Sequence, residues 1–409
     1  MEKITSMKIL LVTQYFYPET FRINDLADEF NRRGHNVTVL TGKPNYPSGK
    51  ISNGYKWYGY QKEEKDGINI IRVPLIPRGN GNGMRLAINY VSFVFFSCLY
   101  ILFNPQKYDI SLTFAISPIT QVYSALLHKF LHKSKAYIWV QDLWPESVIV
   151  AGNMNNKIII SILTKMVRFI YNNVDGILIQ SKKFKDSIDK IGIYDKKIYY
   201  VPNWAEEIFE NKANIDENKY KDLMPDGFKI MFAGNIGEAQ DFPSLIKAVE
   251  KTNAYKTIQW VIIGDGRKRE EMEALSKEKK LSNIHFLGQY PLTEMPSFFV
   301  HADAMLVTLK SEYIFSLTIP SKIQSYMAFG KPIVTMLDGI GNKIISEAKC
   351  GYTAEAGDYL SLSKNVILMS NLSTNDIYEM GKKSNKYYIN NFSRNQVITS
   401  LIELFKKDI

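Results

Sequence analysis

Residues Pro320–Val334 read PSKIQSYMAFGKPIV, a helix-to-strand step written in fifteen letters. Pro320 and Ser321 suit a helix start, Gly330 suits the position just past its end, and an apolar run follows at Ile333–Met336. Lys322 is the odd residue. A cation in the first helical turn opposes the helix dipole by roughly 0.3–1 kcal/mol. A bound anion reverses that sign, because amides and dipole at a helix start both attract negative charge. Taken alone, Lys322 reads as a solvated surface lysine; the rest of the chain shifts the balance.

The same alternation runs outward in both directions. In the second half, Ile230–Ala233, Val261–Ile263, Ile284–Leu287 and Met305–Thr308 are strand-like, with helical patterns at Phe242–Lys251 and Arg267–Lys279. In the first half, strands are expected at Lys8–Thr13, Val37–Leu40, Ile68–Val73, Ile110–Thr113, Tyr137–Val140, Gly176–Ile179 and Ile198–Val201. Helical patterns lie between most of them, including Phe21–Arg33 and Ile119–Leu131. Strands alternating with helices imply parallel sheets covered on both faces, and 409 residues are long for one core. The expected fold is α/β, with two doubly wound parallel-sheet domains and the polar stretch Glu206–Asp226 as the linker. Ligands in such sheets bind outside the carboxyl ends of the strands.

Composition narrows the function. Two cysteines, Cys98 and Cys350, form no metal spacing and no disulfide framework, so a reducing compartment is expected. The apolar run near the N-terminus is too short for a signal peptide and reads as a strand. A net charge of +10 points to an anionic partner, whether nucleotide, nucleic acid or acidic membrane. The basic residues are scattered and carry no nucleic-acid motif, so nucleic acid is not expected as a partner. No strand-GxGxxG-helix unit and no Walker loop is present, which argues against hydride transfer and ATP hydrolysis.

Three strand ends in the second half carry glycine. Gly234-Asn235-Ile236-Gly237 follows one strand, Gly264-Asp265-Gly266 the next, and Gly288-Gln289-Tyr290 a third. Paired glycines let backbone amides approach an anion, although each is also an ordinary tight turn. With Lys322 the three ends would form one phosphate-binding site.

Together these segments resemble the retaining glycosyltransferases of family four. The carriers are Arg32–Thr41, Lys43–Gly49 (KPNYPSG), Gln141–Ser147 (QDLWPES), Val201–Asn203, Phe232–Gly237, Gly264–Gly266, Phe286–Gly288 and Pro320–Pro332. The NYPSG and QDLWPES segments look most like a bacterial branch building O-antigen and capsule repeat units, which includes L-fucosamine (N-acetylfucosamine) transferases. The resemblance implies the GT-B fold: two Rossmann-like domains facing a cleft. The acceptor domain would span residues 1–203 and the nucleotide-sugar domain 204–391. A final helix within 392–409 would cross back onto the first domain. It further implies a UDP-sugar as co-substrate with no cofactor and no metal, and an undecaprenyl-diphosphate-linked saccharide as acceptor. Transfer would proceed with retention by front-side attack, the leaving diphosphate helping to take the proton. The protein would then mainly position and stabilise charge. Alternatives are a GDP-fucose or other hexose transferase of the same fold, or a non-catalytic sugar-nucleotide-binding assembly partner.

The donor set implied is Gly234, Asn235, Ile236, Gly237, Gly264, Gln289, Tyr290, Ser321, Lys322 and Ser325. Ser325 stands where the family usually places a ribose-binding glutamate, and Leu317 stands at its partner glutamate. Glu312 lies nearby as a substitute. Asp142 follows a strand and is the candidate for orienting acceptor or sugar; capping ahead of Pro145 is the plainer role. Gln141 occupies the place where related enzymes often carry histidine. Asn45 and Tyr46 are acceptor-side candidates, with stiff turn geometry between Pro44 and Pro47 as the other explanation. His128 and His132 have zinc-compatible i,i+4 spacing, but no third ligand is evident and flanking lysines suggest a solvated basic face.

Two helical segments bear on membranes. Ala87–Phe103 is strongly apolar, at the short edge of a span. Lys157–Asn172 places Lys157, Ser161, Lys165, Arg168 and Asn172 along one face, with apolar residues elsewhere. Ordinary domain helices explain both. Peripheral docking on the cytoplasmic, inner face of the plasma membrane would suit a lipid-linked acceptor.

Overall fold

The computed structural model describes residues 6–152, 155–193, 197–211 and 215–409. The chain divides into two units, Met1–Pro202 with Ile398–Ile409, and Asn203–Val397. In the first unit the strands are β1 (Lys8–Val12), β2 (Asn36–Gly42), β3 (Gln61–Lys65), β4 (Ile68–Val73), β5 (Ile110–Ala115), β6 (Lys135–Val140), β7 (Gly176–Ile179) and β8 (Ile198–Tyr200). Their order in the sheet is β3-β4-β2-β1-β5-β6-β7-β8. All neighbours are parallel except β3, an antiparallel edge strand. That strand, QKEEK, lacks an apolar run and so escaped the sequence pattern. It is held in part by Glu63, which pairs with the buried Arg72 of β4 at 3.0 Å.

The second unit contains β9 (Phe228–Ala233), β10 (Ile258–Ile263), β11 (Ile284–Gly288), β12 (Ala304–Thr308), β13 (Ile333–Met336) and β14 (Gly351–Ala354). They form one parallel sheet in the order β11-β10-β9-β12-β13-β14. Along β9 the buried side chains alternate between two cores. Ile230 and Phe232 join Trp260 and Leu306 on one face, and Met231 and Ala233 join Val261 and Met305 on the other. A sheet buried on both faces is why these strands read as continuous apolar runs. The chain reverses direction across the sheet between β9 and β12, and that switch point is where such sheets bind ligands.

The stretch expected to be a linker packs on the second unit at its described aromatic residues, and residues 212–214 of it lie outside the described ones. A short helix, Glu207–Glu210, buries Phe209 in the second unit's core, stacked on Phe299 at 5.3 Å. Tyr220 stacks on Phe298 at 4.0 Å. Sparse aromatic anchors between polar residues hold this segment, and a composition scan does not register them. The last helix, Arg394–Asp408, ends on the first unit. There Phe405 packs against Phe30 and Tyr137, and the hydroxyl of Thr399 accepts a 2.7 Å hydrogen bond from Arg33.

Helix Gly83–Phe103 is inverted relative to an ordinary core helix. Its buried face carries Asn89, Ser92 and Ser97 beside Phe93, Tyr100 and Ile101. Asn89 accepts from Gln14 at 2.6 Å and donates to the Ile76 carbonyl at 2.6 Å. Met84, Ile88, Val91, Phe95 and Leu102 line the solvent face. By length and composition alone this helix could cross a membrane.

Candidate functional site

At the switch point of the second sheet lies a cavity of about 400 Å³. Gly234 and Asn235 reach it from the end of β9, Gly264 and Asp265 from the end of β10, and Gln289 and Tyr290 from the end of β11. Ser321, Lys322 and Ser325 reach it from helix Ser321–Phe329, and Glu206 and Phe209 from the segment that opens the unit.

Glycine is required where these strand ends converge. Gly234 has φ +138, and a Cβ there would lie 2.6 Å from Cε of Lys322. Gly264 has φ +143, and a Cβ there would meet the Gly234 carbonyl oxygen at 1.8 Å. Any side chain at either position would force apart the loops or displace the lysine. The end of β9 is further pinned by Tyr326. The Ala233 N–H donates to the Tyr326 hydroxyl at 3.1 Å, and that hydroxyl donates to the Ala233 carbonyl at 3.2 Å.

The amides of the glycine turn are mostly committed within the protein. Gly234 N–H donates to Ile263 at 2.8 Å, Ile236 N–H to Asp265 at 2.8 Å, and Gly237 N–H to the Gln240 side chain at 3.2 Å. The turn is therefore a scaffold more than an anion cradle. Ile236 is fully buried in the core, and neither it nor Gly237 lines the cavity. The turn folds back on the end of β10, which takes the Gly234 and Ile236 amides, and Gln240 takes that of Gly237.

Anion-binding capacity instead lies on helix Ser321–Phe329. Pro320 caps it without a side-chain hydrogen bond, and no acidic residue occupies its first turn. Lys322 lies over the Phe232 ring, its Nζ 3.9 Å from the centroid. Among the described residues no carboxylate pairs with it. Burial pushes its ammonium down to about 7. An unpaired cation, partly withdrawn from water beside a bare helix start, is a site prepared for an anion.

Ser325 is buried on the same helical face, three residues on. Its hydroxyl is 3.0 Å from Oε2 of Glu206 and 3.2 Å from the Ser321 carbonyl, either of which can accept its single proton. Glu206 was missed in the sequence because it lies 119 positions from Ser325, inside the supposed linker. Glu312, the expected substitute, precedes the helix Tyr313–Leu317 and does not line the cavity. Leu317 is buried. Gln289 is exposed at the rim, while Tyr290 is held by the rings of Tyr220 and Phe298, with centroids 5.2 and 4.6 Å away.

The candidates of the first unit are placed differently. Asn45 is fully buried; its side chain donates to the Lys43 carbonyl at 3.0 Å and accepts from the Arg78 amide at 3.1 Å. It organises a loop and presents nothing to a ligand. Glu19 completes that loop by accepting the amides of Asn45 and Tyr46 at 2.7 and 2.6 Å. Burial raises the Glu19 carboxyl, and those amides partly counter the shift. Tyr46 is 44% exposed and packs with Tyr15 and Phe21, with the Arg78 guanidinium 5.1 Å from its ring centre. Asp142 accepts from the amide and the hydroxyl of Ser117, both at 2.9 Å. The phenol of Tyr90 is raised by burial, eased by Arg78 and by its hydrogen bond with Tyr15, and raised again by the charge of Asp142. Asp142, Tyr90, Arg78, Tyr15 and Tyr46 thus gather at the carboxyl rim of the first sheet.

His128 corrects the expectation of a solvated basic face. It is buried, with Nδ1 2.7 Å from the Ser134 hydroxyl and Nε2 3.1 Å from the Gln106 carbonyl. Burial pushes it down to about 4. Among the described residues no group of three or more His, Cys, Asp or Glu side chains is placed to hold a metal.

Comparisons with known proteins agree with this architecture. Residues 227–371 match the family model of glycosyl transferases group 1. The protein provisionally named colanic acid biosynthesis glycosyl transferase WcaI, of Escherichia coli (strain K12), is 23% identical over 338 residues, covering 79% of this chain and 82% of that one. Sucrose-phosphate synthase from Thermosynechococcus elongatus superposes with a TM-score of 0.74 at 14% identity, over 98% of both chains. HepE of Anabaena, solved with UDP and glucose, superposes with a TM-score of 0.67 at 13% identity, over 98% of this chain and 99% of that one. The chain has the GT-B fold, and part of its second unit is similar to group 1 glycosyl transferases.

Proposed function

We propose that this chain is a glycosyltransferase of bacterial polysaccharide assembly, using a UDP-sugar held in the second unit and a lipid-linked saccharide as acceptor. The observation that carries the donor side is Lys322, an unpaired cation beside an uncapped helix start in the switch-point cavity. A nucleoside diphosphate supplies the anion that this arrangement lacks. HepE, a structural neighbour, was solved with UDP, which supports uridine as the base. The polysaccharide assignment rests on similarity to WcaI. The donor sugar proposed is an N-acetyl-6-deoxyhexosamine such as L-FucNAc, on the NYPSG and QDLWPES resemblance. Transfer with retention and without a metal completes the reading. Lys322 and the helix start would stabilise charge growing on the leaving diphosphate, and the Asp142 rim would orient the acceptor.

Thermal denaturation with UDP-, GDP- and dTDP-sugars tests this, since a ligand that binds only the native state raises its stability. UDP-sugars should raise Tm, and UDP should be released slowly without acceptor. A GDP response would select the fucose-type alternative. A rise in Tm with no release of UDP or GDP would select the non-catalytic, sugar-nucleotide-binding alternative, and no response to any of them would overturn the nucleotide-sugar reading.

We also propose peripheral docking on an anionic membrane. Helix Val122–His132 packs against helices Gly83–Phe103 and Lys157–Asn173, and all three expose apolar residues. Val91, Phe130 and Ile162 are 69%, 83% and 60% exposed. Exposed Lys133, Lys165 and Arg168 stand among them, as expected of a face meeting acidic headgroups. The protein should sediment with vesicles containing anionic phospholipid and not with zwitterionic ones. Equal recovery with both would remove the electrostatic part, and recovery with neither would remove the docking.

A further inference from the structure

We propose that Arg78 recognises phosphate in the first unit, and that the Lys43–Gly49 loop presents it to the diphosphate of a lipid-linked acceptor. This rests on the reading of that unit's rim as the acceptor side. The KPNYPSG loop stands out in the sequence, yet its Asn45 is buried and faces no ligand. The contacts of the loop converge on one neighbouring segment instead. Asn45 accepts the Arg78 amide at 3.1 Å, and the Gly49 carbonyl accepts the Gly79 amide at 2.9 Å. The Arg78 guanidinium lies over the Tyr46 ring, 5.1 Å from its centre. Gly49 has φ +75, and a Cβ there would meet the Gly79 carbonyl oxygen at 1.7 Å, so the two segments touch only because this residue is glycine. Asn45, Tyr46 and Gly49 together fix the main chain and the side chain of one arginine.

Arg78 is half-buried, and its guanidinium has neither a carboxylate partner nor a hydrogen-bond acceptor among the described residues. The carboxylates of this rim are spent elsewhere. Glu19 accepts the amides of Asn45 and Tyr46, and Asp142 accepts from Ser117. The charge of Arg78 reaches the phenols of Tyr15 and Tyr90, which bond to each other. Burial pushes both phenols up, so they stay protonated and bring hydroxyls rather than negative charge to the guanidinium. Contact with a ring face leaves the N–H groups of an arginine for a ligand, and that planar fork matches two oxygens of a phosphate at once. A diphosphate-linked acceptor carries such a group where its lipid meets its sugar. Tyr90 also feels the charge of Asp142, so the phosphate seat shares one rim with the residue proposed to orient the acceptor.

Calorimetric titration with geranyl diphosphate and with geraniol tests this, on the full chain saturated with UDP so that the cavity of the second unit is filled. The intact protein should bind the diphosphate about tenfold or more tighter than the alcohol. Arg78→Gln should lower geranyl diphosphate affinity by about tenfold or more and leave UDP affinity unchanged. Arg78→Lys should recover only part of the loss, because an ammonium presents a point charge and no fork. Equal affinity of the intact protein for diphosphate and alcohol overturns the inference without any variant. So does a folded Arg78→Gln protein that keeps its geranyl diphosphate affinity. If that variant instead loses sedimentation with anionic vesicles while keeping that affinity, Arg78 meets lipid headgroups and the inference also falls. A protein that binds UDP but not geranyl diphosphate overturns this inference alone, and one that binds neither overturns the donor reading as well.

Discussion

The carboxyl rims of the two sheets are built from similar chain segments but treat their polar side chains in opposite ways. In the first unit, Asn45, Glu19 and Asp142 spend their hydrogen bonds on neighbouring loops. In the second, Lys322 faces the cavity without a carboxylate partner among the described residues, over the ring of Phe232. A polar residue at a strand end is a brace when its partners lie within the fold. It is a binding group when the fold leaves its charge uncompensated, because an uncompensated charge withdrawn from water is retained at a cost.

Lys322→Ala strikes hardest at this contrast. It should lower donor kcat/KM by about 100-fold while leaving Tm unchanged or higher, since the loss is of a charge-assisted contact to the diphosphate. Unchanged donor dependence would make Lys322 another brace. Asp142→Asn keeps an oxygen to accept from Ser117 but removes the charge. Turnover should fall about tenfold, chiefly through the acceptor. Near-normal turnover in the folded variant would place Asp142 wholly among the braces.

Asn45→Ala should act on stability alone. It leaves the Arg78 amide and the Lys43 carbonyl without their partner, at about 1–3 kcal/mol in an unfolding titration. A selective rise in acceptor KM with unchanged stability would move Asn45 back among the binding groups. The smallest effect concerns pH. Burial holds free Lys322 near 7, and a bound diphosphate favours its protonated form, so binding should take up a proton at neutral pH. UDP affinity should fall severalfold from pH 7 to 9 in calorimetry, with the proton count read from buffers of different ionisation enthalpy. The sign for folding is the reverse. The unfolded lysine keeps its proton to higher pH, so this residue's penalty on the native state eases as pH rises from about 7 toward 10.5.

Much of the scaffold was legible because it is local. The apolar runs of β1, β2, β4–β7, β9, β10, β12 and β13, and the helix Ser321–Phe329, follow from periodicity and from proline and glycine punctuation. The edge strand β3 was hidden because antiparallel edges tolerate charge, and β14 because GYTA is short and half-exposed. The glycine turns were found, but their amides were credited to a ligand when the neighbouring loop takes them.

The sequence by itself determined the strand–helix alternation, the place of Lys322 at a helix start, and the glycines needed where strand ends meet. Only the tertiary structure decided which polar groups are consumed and which remain. The reason is range: helical and strand periods act over a few residues, whereas a hydrogen-bond partner can arrive from anywhere in the chain. Glu206 and Ser325 are 119 residues apart, and no local pattern joins them. The fold brings the carboxylate to the serine, and one turn away it leaves Lys322 without a carboxylate partner among the described residues.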